Sequence, residues 1–345
     1  MRAFLLAAGL GERLRPLTNA KPKALVPVAN KPAIVRLLDL LQSHGIKEAY
    51  VNLHYLPEDI KDVVGGGSWW NMRVHYSYEP ELLGTAGAIG KVRKFLADDR
   101  FLLINTDIVT DIDLVGAIEQ HEKTGAKATL ILATPRRDPD YQWIGVNSDG
   151  RILMGDVQEE QFRSGVYTGI GIFEPSVLEI IPKGYSSLLD SVLIPLATEG
   201  SLYTYFPGDY WVDIGSVERY MQANMDLIDA KTRLPIEGRM VGDRIWIDET
   251  AEIDLTVQIE EPVLIGKRVS IERGAKIGPY AVIGDGCIIG PKVEISNSIV
   301  WDKCRIGSAS TIDSSVIADS QQIAQSQKVK RTILQDGVAE PMFNL

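Results

Sequence analysis

The stretch from position 245 to 312 leaves this chain few ways to fold. Isoleucine occupies positions 247, 253, 259, 265, 271, 277, 283, 289 and 295, nine sites spaced six apart. Two residues before each stands a small or apolar residue: Ile245, Ala251, Val257, Val263, Val269, Ala275, Ala281, Cys287 and Val293. A period of six fits neither the 3.6 of a helix nor the alternation of an ordinary hairpin sheet. It marks a β-solenoid, in which each short strand contributes an inward isoleucine with a smaller residue beside it. Such repeats lead us to expect the left-handed triangular form, an exception to the right-handed crossover rule. A register slip falls near Trp301, after which Ile306 and Ile312 resume the spacing. The segment from Gln321, QQIAQSQKVKRTIL, is polar without a clear period and reads as a loop, a cap or an oligomer contact.

Up to about Asp229 the pattern differs. Short apolar runs at 3–8, 49–53, 74–78, 101–104 and 128–133 alternate with helix-like segments at 32–44, 57–64, 86–96 and 114–123. This alternation predicts an α/β fold, a Rossmann-like and largely parallel mixed sheet with helices on both faces. The expected organisation is a domain over 1–235, a parallel β-helix over 240–320 and a tail over 321–345. At 345 residues the chain is long enough for two cores.

Ligands of open α/β sheets bind beyond the carboxyl ends of the strands. Gly9 and Gly11 follow the first run, and Asp107 follows the fourth. Glycines there let backbone N–H groups approach phosphates without a Cβ in the way, although a plain tight turn would use them too. The third glycine of a dinucleotide fingerprint is missing, and so is the Gly-Lys-Ser/Thr of a phosphate loop. Between Met1 and Lys31 there are six basic residues and one acidic residue, in a chain whose net charge is −10. A basic pocket in an acidic protein suits a small, strongly anionic ligand rather than nucleic acid or an anionic membrane. Arg13 offers a planar fork for phosphate oxygens and Lys23 a compact charge. Asp107, in LLINTDIV, and Asp213, in YWVDIG, offer hard oxygen ligands suited to Mg²⁺ shared with substrate phosphates, or else simply cap a turn. No apolar run approaches the roughly 20 residues of a membrane span, so the expected location is the cytoplasm. Two cysteines make neither a disulfide framework nor a four-ligand zinc site.

The segment LAAGLGERLRPLTNAKPKALVPV (6–28) resembles the signature of the sugar-1-phosphate nucleotidyltransferases. Further matches follow in order: ELLGTAGAI (81–89), INTD (104–107), Gly145 in IGV, YTGIGIF (167–173) and WVDIGSVERY (211–220). These enzymes join an NTP to a sugar 1-phosphate and release pyrophosphate. The solenoid is similar to that of members making GDP-mannose, which implies GTP and mannose 1-phosphate first, then UTP or dTTP with glucose 1-phosphate. The resemblance implies that the backbone of Leu6, Ala7, Ala8, Gly9 and Gly11, with Glu81, Gly84 and Thr85, holds the nucleotide. It gives Arg13 and Lys23 the triphosphate charge, Asp107 and Asp213 the Mg²⁺, and Gly145, Glu159, Glu160 and Thr168 the sugar phosphate.

Three departures stand out: Thr106 where the family has glycine, Tyr167-Thr168-Gly169 for Asn-Ala-Gly, and no Glu-Lys-Pro lysine for the sugar phosphate. Arg163 is the nearest cation to that last position. A phosphate monoester is mostly dianionic at neutral pH, so the attack needs no general base, and the four histidines are no obstacle. Two other readings weigh against this one. Hexapeptide solenoids often carry acyltransferases that use a histidine base, but none follows His121. A non-catalytic regulatory paralogue would account for the missing lysine, yet not for Arg13, Lys23, Asp107 and Asp213 together. The solenoid is expected to mediate homo-oligomers, with Cys287 and Cys304 buried in it.

Overall fold

The computed structural model describes residues 1–135, 138–154 and 161–342. The chain divides into two compact units. One comprises Met1–Leu10, Pro22–Leu25 and Ala33–Asp213; the other comprises Gly11–Lys21, Val26–Pro32 and Ile214–Leu345.

In the first unit the apolar runs become strands β1 (Arg2–Leu6), β2 (Glu48–Leu53), β3 (Arg73–Tyr78), β4 (Phe101–Asn105), β5 (Ile108–Thr110) and β6 (Ala128–Ala133). Then follow β7 (Trp143–Val146), β8 (Ile152–Leu153), β9 (Arg163–Phe173), β10 (Leu202–Tyr205) and β11 (Trp211–Asp213). The main sheet runs β8-β7-β9-β4-β1-β2-β3, with β6 joining β9 to β10. Strands β4, β1, β2 and β3 are mutually parallel, whereas β9 enters antiparallel to β4, β6 and β7. The sheet is therefore mixed, as expected. Helices α1 (Ala33–Ser43), α2 (Pro57–Val64), α3 (Gly84–Lys91), α4 (Arg93–Leu96) and α5 (Leu114–Thr124) fall at the predicted segments. The single helix expected over 86–96 is two helices, because Val92 leaves helical geometry at φ −100°, ψ 17°. Two apolar cores form in this unit, one around Leu5, Ile34, Leu38 and Ile104, the other around Phe4, Phe101, Leu103 and Phe173.

The second unit contains the solenoid, a left-handed β-helix built of three parallel sheets of short strands. Ile247 stacks on Ile265 and Ile265 on Ile283, a step of eighteen residues per coil. Ile289 stacks on Ile306 and Ile306 on Ile323, a step of seventeen. The slip expected near Trp301 is a corner shortened by one residue at Asn297 (φ 48°), and it recurs at Ser314 (φ 50°) and Arg331 (φ 48°). Small polar Asn and Ser tolerate this left-handed turn. The polar stretch after 321 carries regular coil strands, Gln322–Ile323 and Lys328–Lys330, and an antiparallel closing strand Val338–Pro341. Its period was hidden because only Ile323, Val329 and Leu334 of that stretch pack into the solenoid core. Cys287 and Cys304 are fully buried and unbridged, their thiols donating to the carbonyls of Trp301 and Ala318. The neighbouring Cys304 and burial push the Cys287 thiol up, so it stays protonated.

Helix α6 (Val217–Ile228), capped by Ser216, belongs to this unit. Its Tyr220 is fully buried, donating to the Pro27 carbonyl at 2.8 Å and accepting from Trp301 Nε1 at 2.7 Å. Asn224 accepts from the Ala29 amide, and Asn30 donates to the Ile283 carbonyl, both at 2.8 Å. Lys21 pairs with Asp319 at 2.7 Å and lies 5.2 Å above the Trp301 ring. Residues 11–21 and 26–28 of the signature segment, with 29–32 after it, thus belong to the solenoid unit.

Candidate active site

The first strand was expected to run to Ala8 but stops at Leu6. The reason lies on the adjacent strand. The amides of Ala7 and Ala8 turn off the ladder and donate to Asn52 Oδ1, at 2.6 and 3.3 Å. Asn52 Nδ2 in turn donates to Glu79 Oε1 at 2.8 Å, and Glu79 Oε2 accepts the Leu83 amide at 3.0 Å. Asn52 is 4% and Glu79 1% exposed. A buried carboxylate is tolerable only when donors surround it, and here the Asn52 amide and the loop entering α3 supply them. Neither residue stood out in the sequence. The available signal was a polar side chain at or just past the end of each of two apolar strands.

These groups wall a cavity of about 330 Å³, lined by Leu6–Gly9, Lys23, Asn52, Glu79, Gly84, Thr85 and Asp107 among others. A Cβ on Gly9 would meet no atom within 4 Å, so packing does not demand a glycine there. Gly84 is different: it sits at φ +69°, and a Cβ would lie 2.5 Å from the Ser186 carbonyl oxygen. Thr106, bulkier than the family's glycine, is buried with its hydroxyl and amide both donating to the Leu6 carbonyl. Its side chain ties the end of β4 to β1 at the wall of the cavity.

Lys23 rises from a 3₁₀ turn, Lys23–Leu25, and its Nζ lies 2.5 Å from Asp107 Oδ2. The antiparallel pair β5–β11 sets Asp213 opposite Ile108, the residue after Asp107. Asp213 Oδ1 accepts from the Tyr141 hydroxyl at 2.7 Å. Both aspartates are partly exposed hard-oxygen donors that neutral or cationic groups already hold, so they fit a divalent cation. No cluster of three or more metal-ligating side chains occurs among the described residues.

Other expected site residues lie elsewhere. Glu81 is exposed and does not line this cavity; Glu79, two residues earlier, does. Thr168 is fully buried, its hydroxyl donating to the Ile131 carbonyl and accepting from the Ile170 amide. It sits where β9 shifts register against β6. Gly169 beside it is at φ +83°, and a Cβ there would lie 2.8 Å from the Asn105 Cβ. Gly145 lies in β7, paired with Ser164. Glu159 and Glu160 lie outside the described residues. Arg163 is exposed, its guanidinium 3.6 Å from the Phe206 ring centroid, beside a separate cavity of about 240 Å³. Gly11 (φ +66°) starts a 3₁₀ turn, Glu12–Leu14, on which Arg13 is exposed. Both belong to the second unit.

Comparison with known proteins bears on this arrangement. The family profile described as "Nucleotidyl transferase" matches residues 2–230, and "EIF2B subunit epsilon LbH domain" matches 242–340. A UTP–glucose-1-phosphate uridylyltransferase of Synechocystis is 33% identical over 284 residues, 76% of this chain and 73% of that protein. A mannose-1-phosphate guanyltransferase of Yarrowia lipolytica is 28% identical, covering 73% of each. An N-acetylmuramate alpha-1-phosphate uridylyltransferase of Neisseria meningitidis is 32% identical, covering 65% of this chain and 96% of that protein. Among solved structures, HddC from Yersinia pseudotuberculosis complexed with GMP-PN superposes with a TM-score of 0.57 at 25% identity, over 66% of this chain and 99% of that one. No helix among the described residues is long and apolar enough to cross a membrane. The strand-end cavity with its lysine–aspartate pair and the match over two thirds of the sequence together make this chain a member of the nucleotidyl transferase family, with an LbH domain following.

Proposed function

We propose that the protein is a sugar-1-phosphate nucleotidyltransferase, with the 330 Å³ cavity as its nucleotide site. The observation that carries this reading is Lys23 paired with Asp107 at a cavity floored by the strand-end backbone of Leu6–Gly9. The sugar phosphate, already dianionic, attacks the α-phosphorus in line, the bond to the bridging oxygen breaks, and pyrophosphate leaves with its electron pair. Charge accumulates on the α-phosphoryl oxygens and the leaving group. Lys23 neutralises it once its ammonium leaves Asp107 for the phosphate. Glu79 and Asn52 hold the Ala7–Ala8 turn so that its shape is set before the nucleotide arrives. Asp107 and Asp213 would hold a divalent cation, taken as Mg²⁺, which supplies charge neutralisation at the phosphates when bound. The aromatic groove of about 540 Å³ at Tyr141, Trp143 and Ser164 suits a sugar ring, with Tyr141 reaching Asp213.

Uridylyl transfer to a hexose 1-phosphate is the first choice of substrates, supported by the relatives at 33% and 32% identity, both uridylyltransferases. Guanylyl transfer to mannose 1-phosphate, the expectation from the motifs, keeps support from the relative at 28% identity and from the GMP-PN complex of HddC. Domain limits of 1–235 and 240 onward, and homo-oligomers through the solenoid, belong to the same proposal. The test is pyrophosphate release from four NTPs against glucose, mannose and N-acetylmuramate 1-phosphates with Mg²⁺. One pair should exceed the others by at least ~100-fold; no release from any pair would favour a non-catalytic paralogue.

A further inference from the structure

A larger cavity, of about 700 Å³, lies in the first unit and has no part in the chemistry above. Four of its fifteen lining residues are cationic, Lys91, Arg93, Lys94 and Lys183, and none is acidic. In a chain of net charge −10 this is a concentration of unopposed positive charge. None of the four has a carboxylate partner among the described residues. Lys91 donates to the Tyr78 carbonyl and Arg93 to that of Ile181, while Arg93 Nε is buried without any partner. The same cavity presents aromatic surface, with the Tyr50 and Phe95 rings 4.3 Å apart and Tyr76 and Tyr78 beside them.

The two cavities share a wall. Tyr78, Leu83 and Gly184 line the larger one, and their chain neighbours Glu79, Gly84 and Tyr185 line the nucleotide cavity. The wall has little slack: a Cβ on Gly87 of α3 would lie 2.4 Å from the Gly184 carbonyl oxygen. A group held between Arg93 and Lys183 would bear on the segments that present Glu79 and Gly84.

We propose that this cavity is a second site, for a phosphate ester of a ring compound (a free nucleotide or a sugar phosphate), and that its occupancy alters nucleotide affinity across the shared wall. The four cations receive the phosphate, and the tyrosine faces receive the ring. The binding claim is independent of the proposed activity; the coupling rests on it, since it takes the smaller cavity as the nucleotide site.

Calorimetric titration of the full chain with UMP and with glucose 6-phosphate tests the site. At least one probe should bind both wild-type protein and Lys23→Ala. Its affinity should fall about tenfold or more in Lys94→Glu/Lys183→Glu and, by a smaller factor, in Lys94→Gln/Lys183→Gln, with melting temperatures unchanged. Binding of UMP alone assigns the site to nucleotides; binding of glucose 6-phosphate assigns it to sugar phosphates. No binding of either probe to Lys23→Ala, or affinity indifferent to the charge reversal, overturns the site. For the coupling, the bound probe should shift the NTP KM of wild type and leave that of Lys94→Glu/Lys183→Glu unmoved. An unmoved wild-type KM overturns the coupling.

Discussion

Replacing Asn52 by Asp puts a second carboxylate within 2.8 Å of Glu79, at a place where both positions are at most 4% exposed. Two unit charges at that distance repel by about 6 kcal/mol at an effective dielectric near 20. The pair can escape by binding one proton. For a carboxyl of ordinary pKa near 4, that uptake costs about 1.4 kcal/mol for every pH unit above 4, or about 5 kcal/mol at pH 8 and about 1.5 at pH 5. The folded state then holds a proton that the unfolded state releases, so stability is lost as pH rises. At about 2–4 °C per kcal/mol, the melting temperature of Asn52→Asp should lie roughly 10 °C or more below wild type at pH 8, and much nearer to it at pH 5. Adding Glu79→Gln reverses the polarity of the contact. The new amide at 79 donates to the new carboxylate at 52, which still accepts the Ala7 and Ala8 amides, while the amide oxygen accepts from Leu83. The double variant should return to within about 1 kcal/mol of wild type and lose the pH slope. Thermal melts of the four proteins between pH 5 and 8 decide it. Additive losses, or an Asn52→Asp protein that grows more stable relative to wild type as pH rises, would refute the relay.

Three further outcomes follow from the geometry. Gly169→Ala forces a side chain into φ +83° with its Cβ 2.8 Å from that of Asn105, so it should lower stability by about 1–3 kcal/mol; an unchanged melt contradicts the close approach. Asp213→Asn should raise the Mg²⁺ concentration for half-maximal velocity by more than about tenfold, and Tyr141→Phe by a smaller factor; the reverse order in a metal titration would separate Asp213 from the cation. His121 is 1% exposed, and burial holds its pKa below the ordinary value despite Glu174 at 3.1 Å. Its folded form stays neutral, so stability should fall as pH drops from about 6.5. His121→Gln should flatten that part of the pH–stability curve, and an unaltered slope there argues against it.

Much of the fold could be read from local pattern. The spacing of Ile247 to Ile295 announces the coils because every sixth side chain must fill the same core, and α2 and β6 fall at their predicted residues because apolar period and flanking turn residues agree. What escaped depends on contacts distant in sequence. Asn52 meets Ala7 across 45 residues, and nothing in AYVNL says which face of the strand end will be needed. The signature segment looked continuous, yet its Pro27 carbonyl accepts from Tyr220, 193 residues away, so parts of it belong to the solenoid unit. Thr168 looked like a site residue because its neighbours fit a motif. Its hydroxyl satisfies backbone groups where β9 and β6 shift register, a need that appears only once the strands are paired.

The most direct test of the account is single-turnover pyrophosphate release by Lys23→Ala beside wild type, using the best NTP and sugar 1-phosphate pair and saturating Mg²⁺. With an intact fold, the variant should release pyrophosphate at least ~100-fold more slowly, since it lacks the cation at the transferring phosphoryl group. A rate near that of wild type would place the chemistry somewhere other than the cavity of Leu6–Gly9 and Asp107.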